Sequence, residues 1–405
     1  MALSILRVGL QGRMTSQSIR LLPAIVMTER RAGITHKSLR KPKDIKPFPY
    51  ETKKYGVIQG FLDDTAKRLD ENSRIIVVEG SICSGKSTLA KTIAEEFDFL
   101  HFPEVNMDMQ FIDDTGFDVR SLQHVFPDIL RPFDEKLFYE RPDSKMVANF
   151  RNELLFIRIE QYCDAMAHLL NTGQGIVLER SPFSDYVIVK ALYKCGYITE
   201  NDVKAHGDCC IHAFPYIYRP HLVIYLDVPV DILQKRIKDR GIDYEVNSKI
   251  RWLDYLKGIK DLYEEYYLPS IREQSEVLIY DWSEFGDYKA VIEDIERIDF
   301  EKAMNDSHSL KFSDWKEKNS RDWMEIRYLV TTDKLSVVNK AYTTLRFNTP
   351  DLIADSEEIE AFILAKNKYF PTWAPGWDPK NGTRYLWKNH KISYREALKY
   401  AYRTR

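Results

Sequence analysis

The chain has 405 residues, more than the roughly 250–300 at which a single hydrophobic core stops growing, so two structural units are expected. Hydrophobic residues make up 44% and charged residues 30%, which excludes a disordered or fibrous chain. The 59 basic and 61 acidic residues give a net charge of −2, so no overall basic field favours nucleic acid as a partner. No apolar run reaches the ~18–20 residues that span a bilayer, so no transmembrane segment is predicted.

Residues 1–35 have the composition of an amphipathic mitochondrial transit peptide. Three arginines and several Ser and Thr precede the first acidic residue, Glu29, and apolar residues recur there at helical spacing. A basic tail without a targeting role is the alternative. Residues 36–70 continue as a basic, proline-containing arm, in which a short helix is predicted around Leu62–Leu69.

The pattern changes between residues 71 and 300, where short apolar strands alternate with helices. Strands that are apolar throughout and separated by helices are typical of a buried parallel sheet with helices on both faces, so an α/β fold is predicted. The predicted helices are Lys86–Phe97, Asp185–Lys194, one that ends at Arg240, and Ile250–Tyr267. The predicted strands are Arg74–Glu79, Phe99–Pro103, Gly175–Leu178, His221–Asp227 and Glu276–Asp281.

The C-terminal extension, residues 301–405, is rich in aromatic residues and holds five of the seven tryptophans of the chain. Large amphipathic aromatic side chains are enriched at protein interfaces, so docking to a partner protein is one interpretation. Packing of these side chains onto the chain's own domain is the other. The five tryptophans are Trp315, Trp323, Trp373, Trp377 and Trp387.

The segment after the first predicted strand matches the pattern GxxxxGKS/T and directly precedes a predicted helix. In such a P-loop, backbone N–H groups and the helix N-terminus surround a phosphate chain. We therefore predict a bound nucleoside phosphate, with the Lys86 ammonium on its outer phosphates and the Ser87 hydroxyl on a Mg²⁺ ion. A glycine turn without a ligand is the alternative. The predicted binding residues are Gly80, Ser81, Ile82, Cys83, Ser84, Gly85, Lys86, Ser87 and Thr88.

Charged residues also follow later strands at the carboxyl edge of the predicted sheet, where parallel sheets bind their ligands. Glu104 ends the second strand, either as a base for a substrate hydroxyl that attacks a phosphoryl group or as a solvated carboxylate. Glu179 and Arg180 close the third strand, either to hold a metal ion and neutralise transition-state charge or as a surface ion pair. Arg236 and Arg240 share one face of a helix, either as a lid over a nucleotide or as a solvated face.

These segments resemble the deoxyribonucleoside kinase family over about residues 74–299. The similar segments are the P-loop GSICSGKST, the FPE end of the second strand, LERSPFSD and RPHLVIYLDVPVDILQKRIKDRG. The resemblance implies a P-loop kinase fold with a five-stranded parallel sheet, and 5′-phosphorylation of a deoxynucleoside by a nucleoside triphosphate. It also implies Glu104 as the base, Arg180 as a charge stabiliser, Glu179 near the metal, and the arginines around Arg240 as a lid.

Nearly the whole chain resembles a narrower group, the kinase-like accessory subunits of mitochondrial respiratory complex I. The transit-like start, HFPE, LLNTGQGIVLERSPFSD, PHLVIYLDVPV and the aromatic extension carry this resemblance. It implies a subunit on the matrix side of the inner membrane that supports assembly and stability beside other complex I subunits. That family is also described as binding FAD. These residues support no flavin site, and the P-loop predicts ATP, ADP or a deoxynucleotide instead.

Two positions depart from the kinase pattern. The kinase lid carries a second arginine in an RGR arrangement, whereas Arg240 and Gly241 are followed here by Ile242. Arg151 aligns with the glutamine that reads the base. Loss of such a lid arginine costs about 10³-fold in rate, so nucleotide binding without efficient turnover is predicted. An active mitochondrial deoxynucleoside kinase is the alternative, and a GTPase-type switch is disfavoured because the sequence contains no NKxD segment.

Overall fold

The computed structural model describes residues 33–40, 45–113, 116–316, 318–348 and 354–370, and the short strands Trp377–Asp378 and Gly382–Thr383. The predicted transit peptide, apart from its last three residues, lies outside the described residues, as do Trp373 and Trp387. Within the described ranges, no helix is both long and apolar enough to cross a membrane.

Five parallel strands form one central sheet, which confirms the predicted α/β fold. The strands are β1 (Ile75–Gly80), β2 (Leu100–Phe102), β3 (Ile176–Glu179), β4 (Leu222–Asp227) and β5 (Glu276–Asp281). Their order is β2-β3-β1-β4-β5, with β1 at the centre. Each predicted strand agrees with the observed one to within one residue at either end.

The strands form because their residues are apolar on both faces. Ile76 in β1 and Leu222 in β4 are fully buried and paired in register. Along β4, Ile224 belongs to one core cluster, whereas Val223 and Tyr225 belong to the other. Since successive side chains of a strand point to opposite faces, the sheet has a hydrophobic core on each side.

The helices surround this sheet and extend beyond it toward the C-terminus. The first eight are α1 (Val57–Leu62), α2 (Lys86–Phe97), α3 (Asp108–Phe111), α4 (Glu135–Glu140), α5 (Met146–Thr172), α6 (Asp185–Lys194), α7 (Glu200–Ala213) and α8 (Val230–Arg240). The later ones are α9 (Asp243–Val246), α10 (Trp252–Leu262), α11 (Leu268–Arg272), α12 (Tyr288–Arg297), α13 (Phe300–Asn305), α14 (Ser320–Thr332), α15 (Lys334–Asn348) and α16 (Ser356–Tyr369). Short 3-10 helices cover Lys37–Leu39, Ala66–Arg68, Val119–Val125, Asp128–Leu130, Pro182–Ser184, Phe214–Tyr216 and Ser313–Trp315.

Two helices differ from the sequence prediction in position or length. The short helix predicted around Leu62–Leu69 is observed as the 3-10 helix Ala66–Arg68, and a separate helix, α1, ends at Leu62. Helix α1 begins earlier because the Gln59 side chain accepts a hydrogen bond from the Gly56 N–H at 3.1 Å and caps the first turn. The helix predicted to end at Tyr267 continues instead into α11, through a π-helical turn at Tyr263–Tyr267.

The longest helix, α5, has 27 residues and was not predicted from the sequence. Most of its residues are buried, on several faces at once, because it lies between the sheet and the C-terminal helices. A helix that is apolar nearly all round lacks the one-sided stripe from which amphipathic helices are recognised. The missing stripe explains why the prediction failed here.

The helices beyond residue 300 pack onto the sheet-bearing part of the chain. Helices α14 and α15 contact α5, and the Asn171 side-chain amide in α5 donates to the Thr331 hydroxyl at 2.8 Å. Trp315 and Trp323 are buried, with their ring centres 6.2 Å apart. For these two tryptophans, the aromatic side chains therefore pack onto the chain's own core.

Candidate functional site

The loop between β1 and α2 borders one end of a large cavity. Gly80 and Gly85 have φ angles of +147° and +96°, and Cys83 is also left-handed at +57°. A Cβ atom on Gly80 would lie only 2.8 Å from the Ser84 Oγ atom, so the first position accepts no larger residue without a shift. The turn directs the N-terminus of α2 toward the cavity, as binding of a phosphate group requires.

Lys86, at the start of α2, lies along this loop. Its Nζ atom donates to the Ser81 carbonyl oxygen at 2.9 Å and lies 3.7 Å from Oε2 of Glu104. Burial, together with the positive charge of Arg180, lowers the pKa of Lys86 from 10.5 to about 8. The protein alone thus stabilises the ammonium poorly, and an anionic ligand would supply the missing negative charge.

Glu104 and Arg180 form a charged pair at the wall of the cavity. The Arg180 Nε atom lies 2.9 Å from Oε1 of Glu104, and its Nη2 atom donates to the Gly80 carbonyl oxygen at 2.8 Å. Burial raises the pKa of Glu104, but the positive charges of Arg180, Lys86 and Arg158 outweigh it and hold the pKa at about 2. Glu104 is therefore an ionised carboxylate that can accept a hydrogen bond from a ligand hydroxyl.

Glu179 lies beside the loop, at the end of β3. The Ser87 hydroxyl donates to its Oε2 atom, and the His101 Nε2 atom lies 2.9 Å from its Oε1 atom. Mg²⁺ prefers oxygen ligands and usually takes one or two from the protein and the rest from phosphate and water. Ser87 and Glu179 fit that requirement. Within the described part of the chain, no group of three or more His, Cys, Asp and Glu residues could hold a metal by itself.

Arg236 and Arg240 in α8 both line the cavity, but their guanidinium groups are bound to the protein. Arg236 donates to the Trp282 carbonyl oxygen at 2.8 Å and lies 4.4 Å from the Phe285 ring centre. Arg240 pairs with Glu245, which is buried. In this structure the two predicted lid arginines therefore connect α8 to neighbouring segments.

The cavity has a volume of about 810 Å³, within the range of small-molecule sites. The lining includes the P-loop with Lys86, Glu104 and Arg180, an aromatic chamber of aromatic and aliphatic side chains, and further charged side chains, Glu135, Arg151, Arg158 and Asp239. Charged groups beside aromatic rings suit a ligand that joins a phosphate group to a flat ring. The chamber is lined by Phe138, Tyr139, Phe150, Leu154, Ile188, Tyr255 and Ile259.

A buried ionic network borders the cavity, and two of its members, Arg151 and Arg158, line it. Asp185, which is fully buried, accepts hydrogen bonds from the Arg151 Nη2 atom at 2.8 Å and from Arg158. The His206 Nε2 atom lies 3.3 Å from the other carboxylate oxygen, and its Nδ1 atom lies 3.0 Å from Oδ1 of Asn152. Burial and the two guanidinium groups lower the pKa of His206 to about 3, so its ring is neutral. One carboxylate thus faces two buried cations.

Three buried charged residues of this region were not identified from the sequence. Glu79, the residue before the end of β1, accepts a hydrogen bond from the Tyr263 hydroxyl at 2.9 Å. Arg158 lies inside the apolar α5, and Asp185 begins α6. A charged residue inside an apolar segment must find a partner, and that signal could have indicated Arg158. The partner itself follows only from the tertiary fold.

Most of the residues predicted for the site line the cavity. The others belong to the loop itself or, for Glu179, lie beside it. Those that line the cavity are Ile82, Cys83, Gly85, Lys86, Ser87, Thr88, Glu104, Arg180, Arg236 and Arg240. Those that do not are Gly80, Ser81, Ser84 and Glu179.

The parallel sheet, the P-loop and the adjoining chamber together define a P-loop kinase fold of the deoxynucleoside kinase class. The family model for deoxynucleoside kinase matches residues 76–317. NADH dehydrogenase (ubiquinone) 1 alpha subcomplex subunit 10, mitochondrial, from Rattus norvegicus is 35% identical over 339 residues, covering 82% of this chain and 89% of the rat protein. The chain belongs to the deoxynucleoside kinase family and, within it, to the family of these subunit 10 proteins.

Deoxynucleoside kinases themselves are more distant relatives. The deoxyguanosine kinase of Dictyostelium discoideum is 26% identical over 237 residues, covering 58% of this chain and 74% of that protein. The solved structure of deoxyadenosine kinase from M. mycoides with bound dATP is 21% identical, covers 55% of this chain and 96% of that chain, and has a TM-score of 0.41.

Proposed function

We propose that the chain is an accessory subunit of mitochondrial complex I whose kinase-like cavity binds a nucleoside phosphate. The subunit role rests on the similarity to the rat subunit. This similarity extends over 82% of the chain, beyond the residues matched by the kinase family model. Other complex I subunits are then its partners. The same relatives are mitochondrial by name, so the location we propose is the matrix side of the inner membrane, with residues 1–35 as the transit peptide.

The geometry of the cavity supports nucleotide binding. Its P-loop places Lys86 next to the N-terminus of α2, where the phosphates of ATP, ADP or a deoxynucleotide would bind. Ser87 and Glu179 would hold Mg²⁺, which would offset the negative charge of the phosphates. The aromatic chamber would hold a nucleoside. The P-loop pattern is typical of sites for nucleoside phosphates, and no residue of this site indicates a flavin ring. The residues therefore do not support FAD as the ligand.

The state of the α8 arginines supports a role without efficient turnover. Arg236 is hydrogen-bonded to backbone carbonyl oxygens, Arg240 is paired with Glu245, and Ile242 stands where the kinase pattern has a further arginine. Phosphoryl transfer requires positive charge that reaches the transferred group in the transition state. A nucleotide that is bound but not turned over stabilises the fold, by about 2.7 kcal/mol at 100 times its dissociation constant.

Depletion and replacement in cells test this proposal. Loss of the protein should lower the amount and activity of assembled complex I on native gels, and the wild-type chain should restore both. Normal complex I after complete depletion would contradict the subunit role. The nucleotide half is tested separately, by measuring the nucleotide released from the purified native chain and from its Lys86→Met variant. The matched control is Lys91→Met, which changes an exposed lysine of the same helix.

An active mitochondrial deoxynucleoside kinase is the second candidate. Glu104 is ionised and lies 2.9 Å from Arg180 and 3.7 Å from Lys86, so it can accept a hydrogen bond from a 5′-hydroxyl beside the phosphate site. Steady formation of deoxynucleoside monophosphate by the purified full chain, abolished in Lys86→Met and in Glu104→Gln, would favour this candidate. Absence of turnover together with nucleotide binding would favour the accessory role.

A further inference from the structure

Arg180 has an unusual backbone conformation for a residue other than glycine. Its φ angle is +66°, in the left-handed region that residues with a Cβ atom rarely adopt. The side chain is buried and lines the cavity, where its Nε atom lies 2.9 Å from Glu104. Within the described part of the chain its Nη1 atom has no hydrogen-bond partner, so one donor of the guanidinium remains for a ligand. A strained conformation of this kind persists only where the surrounding contacts hold it.

Three hydrogen bonds tie Arg180 and the residue after it to consecutive residues at the end of β1. The Arg180 backbone N–H donates to the Val78 carbonyl oxygen at 3.0 Å, and the Nη2 atom donates to the Gly80 carbonyl oxygen at 2.8 Å. Between these two acceptors, Oε1 of Glu79 accepts a hydrogen bond from the Ser181 hydroxyl at 3.2 Å. The Glu79 carboxylate is therefore the one acceptor of the three that belongs to a side chain and that a substitution can remove.

Two tyrosine hydroxyls also bind Glu79, which is fully buried. Tyr263 donates to its Oε2 atom at 2.9 Å, and Tyr267 donates to its Oε1 atom at 3.4 Å. The two tyrosines begin and end the π-helical turn, a kind of turn that is frequent at functional sites. Burial raises the pKa of Glu79, and the positive charge of Arg180 opposes this shift. Hydrogen bonds from three hydroxyls suit the ionised carboxylate, which can only accept.

We infer that Glu79, with its two tyrosine partners, is a positioning residue that holds Arg180 in place for a phosphate group in the cavity. The carboxylate binds the Ser181 hydroxyl and so holds the left-handed turn at Arg180, from which the guanidinium reaches the cavity. Arginine binds phosphate through a planar set of donors, so its contribution depends on orientation as well as on charge. This inference rests on the proposed nucleotide binding, but it does not depend on membership of complex I.

The variant Glu79→Gln separates positioning from a simple effect of charge. Glutamine keeps the size of the side chain and one acceptor but removes the negative charge. If Glu79 acted only through its charge, this variant should bind a nucleotide more tightly, because a charge that repels phosphate has gone. If Glu79 positions Arg180, the variant should bind more weakly, by about tenfold. Titration of the purified full chain with a fluorescent ATP analogue measures the difference.

The variant Tyr263→Phe removes a donor to Glu79 without changing the charge of any residue. It should weaken nucleotide binding by about fivefold, because the carboxylate loses one of the groups that fix it. The matched control is Tyr162→Phe, since Tyr162 is fully buried, donates to the Tyr218 carbonyl oxygen at 2.7 Å and does not line the cavity. The control should lower the melting temperature but leave nucleotide affinity unchanged. If Glu79→Gln did not fold, this comparison would still decide the question.

The background variant Arg180→Met tests whether Glu79 acts through the arginine. In that background, Glu79→Gln and Tyr263→Phe should each change nucleotide affinity by less than about twofold. Equal losses with and without Arg180 would overturn the inference, and so would unchanged or tighter binding by Glu79→Gln or Tyr263→Phe in the otherwise wild-type chain. In these cases the wild type still binds the nucleotide, and the proposed function stands. A wild-type chain that binds no nucleotide would contradict the proposed function and this inference together.

Discussion

The Nζ atom of Lys86 lies 3.7 Å from Oε2 of Glu104, so the P-loop lysine and the carboxylate after β2 face each other at the cavity. Burial leaves the lysine with a pKa of about 8, and surrounding cations leave the carboxylate with a pKa of about 2. Near neutral pH the ammonium can bind phosphate while the carboxylate faces a hydroxyl. At this pH both side chains therefore carry the charges that binding of a phosphorylated ligand requires.

Lys86→Met should weaken nucleotide binding by about tenfold to a hundredfold, since hydrogen bonds to charged groups contribute about 1.5–3 kcal/mol. Methionine keeps most of the side-chain volume but removes the ammonium. Titration with a fluorescent ATP analogue measures the change. Lys91→Met should bind as the wild type does, because Lys91 is exposed and does not line the cavity. If the wild type and Lys86→Met bound the nucleotide with equal affinity, Lys86 would not be part of the binding site.

Nucleotide affinity should fall as the pH rises from about 8 upward. The pKa of Lys86 is lowered to about 8, so raising the pH through this value removes the positive charge that binds phosphate. The effect on folding has the opposite sign, because between pH 8 and the ordinary value of 10.5 the unfolded chain binds more protons, so this group's contribution to stability increases with pH. Binding curves between pH 7 and 10 measure the first effect.

The control for this pH dependence is Lys86→Arg, because a guanidinium keeps its proton throughout the range. Any binding that remains in Lys86→Arg should be nearly independent of pH between 7 and 10. If nucleotide affinity declined equally with pH in the wild type and in Lys86→Arg, the group that titrates would not be Lys86.

Asp185→Asn should destabilise the fold by about 3–5 kcal/mol, because it removes the buried carboxylate that accepts hydrogen bonds from both the Arg151 and Arg158 guanidinium groups. Denaturant unfolding, followed by tryptophan fluorescence, measures the free energy of unfolding. Glu273→Gln is the matched control, since this carboxylate is exposed and should change stability by less than about 0.5 kcal/mol. Adding Arg151→Met to Asp185→Asn should recover part of the loss, and an equal or greater loss would argue against charge balance as the cause.

Arg236→Ala should lower both the melting temperature and the nucleotide affinity. Its guanidinium donates to the carbonyl oxygens of Trp282 and Ser283 at 2.8 and 2.9 Å and lies near those of Cys83 and Ser84 in the P-loop. We expect the free energy of unfolding of this variant to fall by about 1–3 kcal/mol.

Arg236→Lys should not restore the Arg236→Ala defect, since a single ammonium cannot reproduce the planar fork. Lys235→Ala, at the neighbouring exposed position, is the control. Full nucleotide affinity in Arg236→Ala would show that the arginine does not brace the loop.

Arg327→Met should destabilise the contact between the N-terminal arm and the C-terminal helices by about 3 kcal/mol or more. The Arg327 side chain is fully buried, lies 2.8 Å from Oδ2 of Asp63 and donates to Oδ1 of Asn171 at 2.7 Å. Limited proteolysis should then cut the arm before residue 70 faster. Arg321→Met, which removes only an exposed ion pair with Glu325, should leave the cleavage rate unchanged.

Local sequence signals predicted the elements that bear the site. Helix α2 was predicted to begin at Lys86, directly after the P-loop, and to end at Phe97, and the structure confirms both bounds. The strands were predicted because uninterrupted apolar runs favour buried parallel strands. The lining of the cavity by Lys86, Glu104 and Arg180 follows from the rule that ligands collect at the carboxyl edge of such a sheet.

Features that depend on tertiary contacts could not be predicted in this way. The partners of Arg236 are backbone carbonyl oxygens from loops far apart in sequence, which no pattern in the chain reveals. The network of Arg158, Asp185 and His206 joins three helices, α5, α6 and α7, whose packing had to be known first. Helix α5 was missed because it is buried on several faces.

The most direct test of the central claim is the nucleotide content of the native chain. Mass spectrometry of small molecules released from the protein, isolated together with complex I from mitochondria, should find a nucleoside phosphate at about one per chain, consistent with one P-loop. The Lys86→Met chain, isolated in the same way, should carry much less. Absence of any nucleoside phosphate in the wild-type chain, or equal amounts in both chains, would contradict the account.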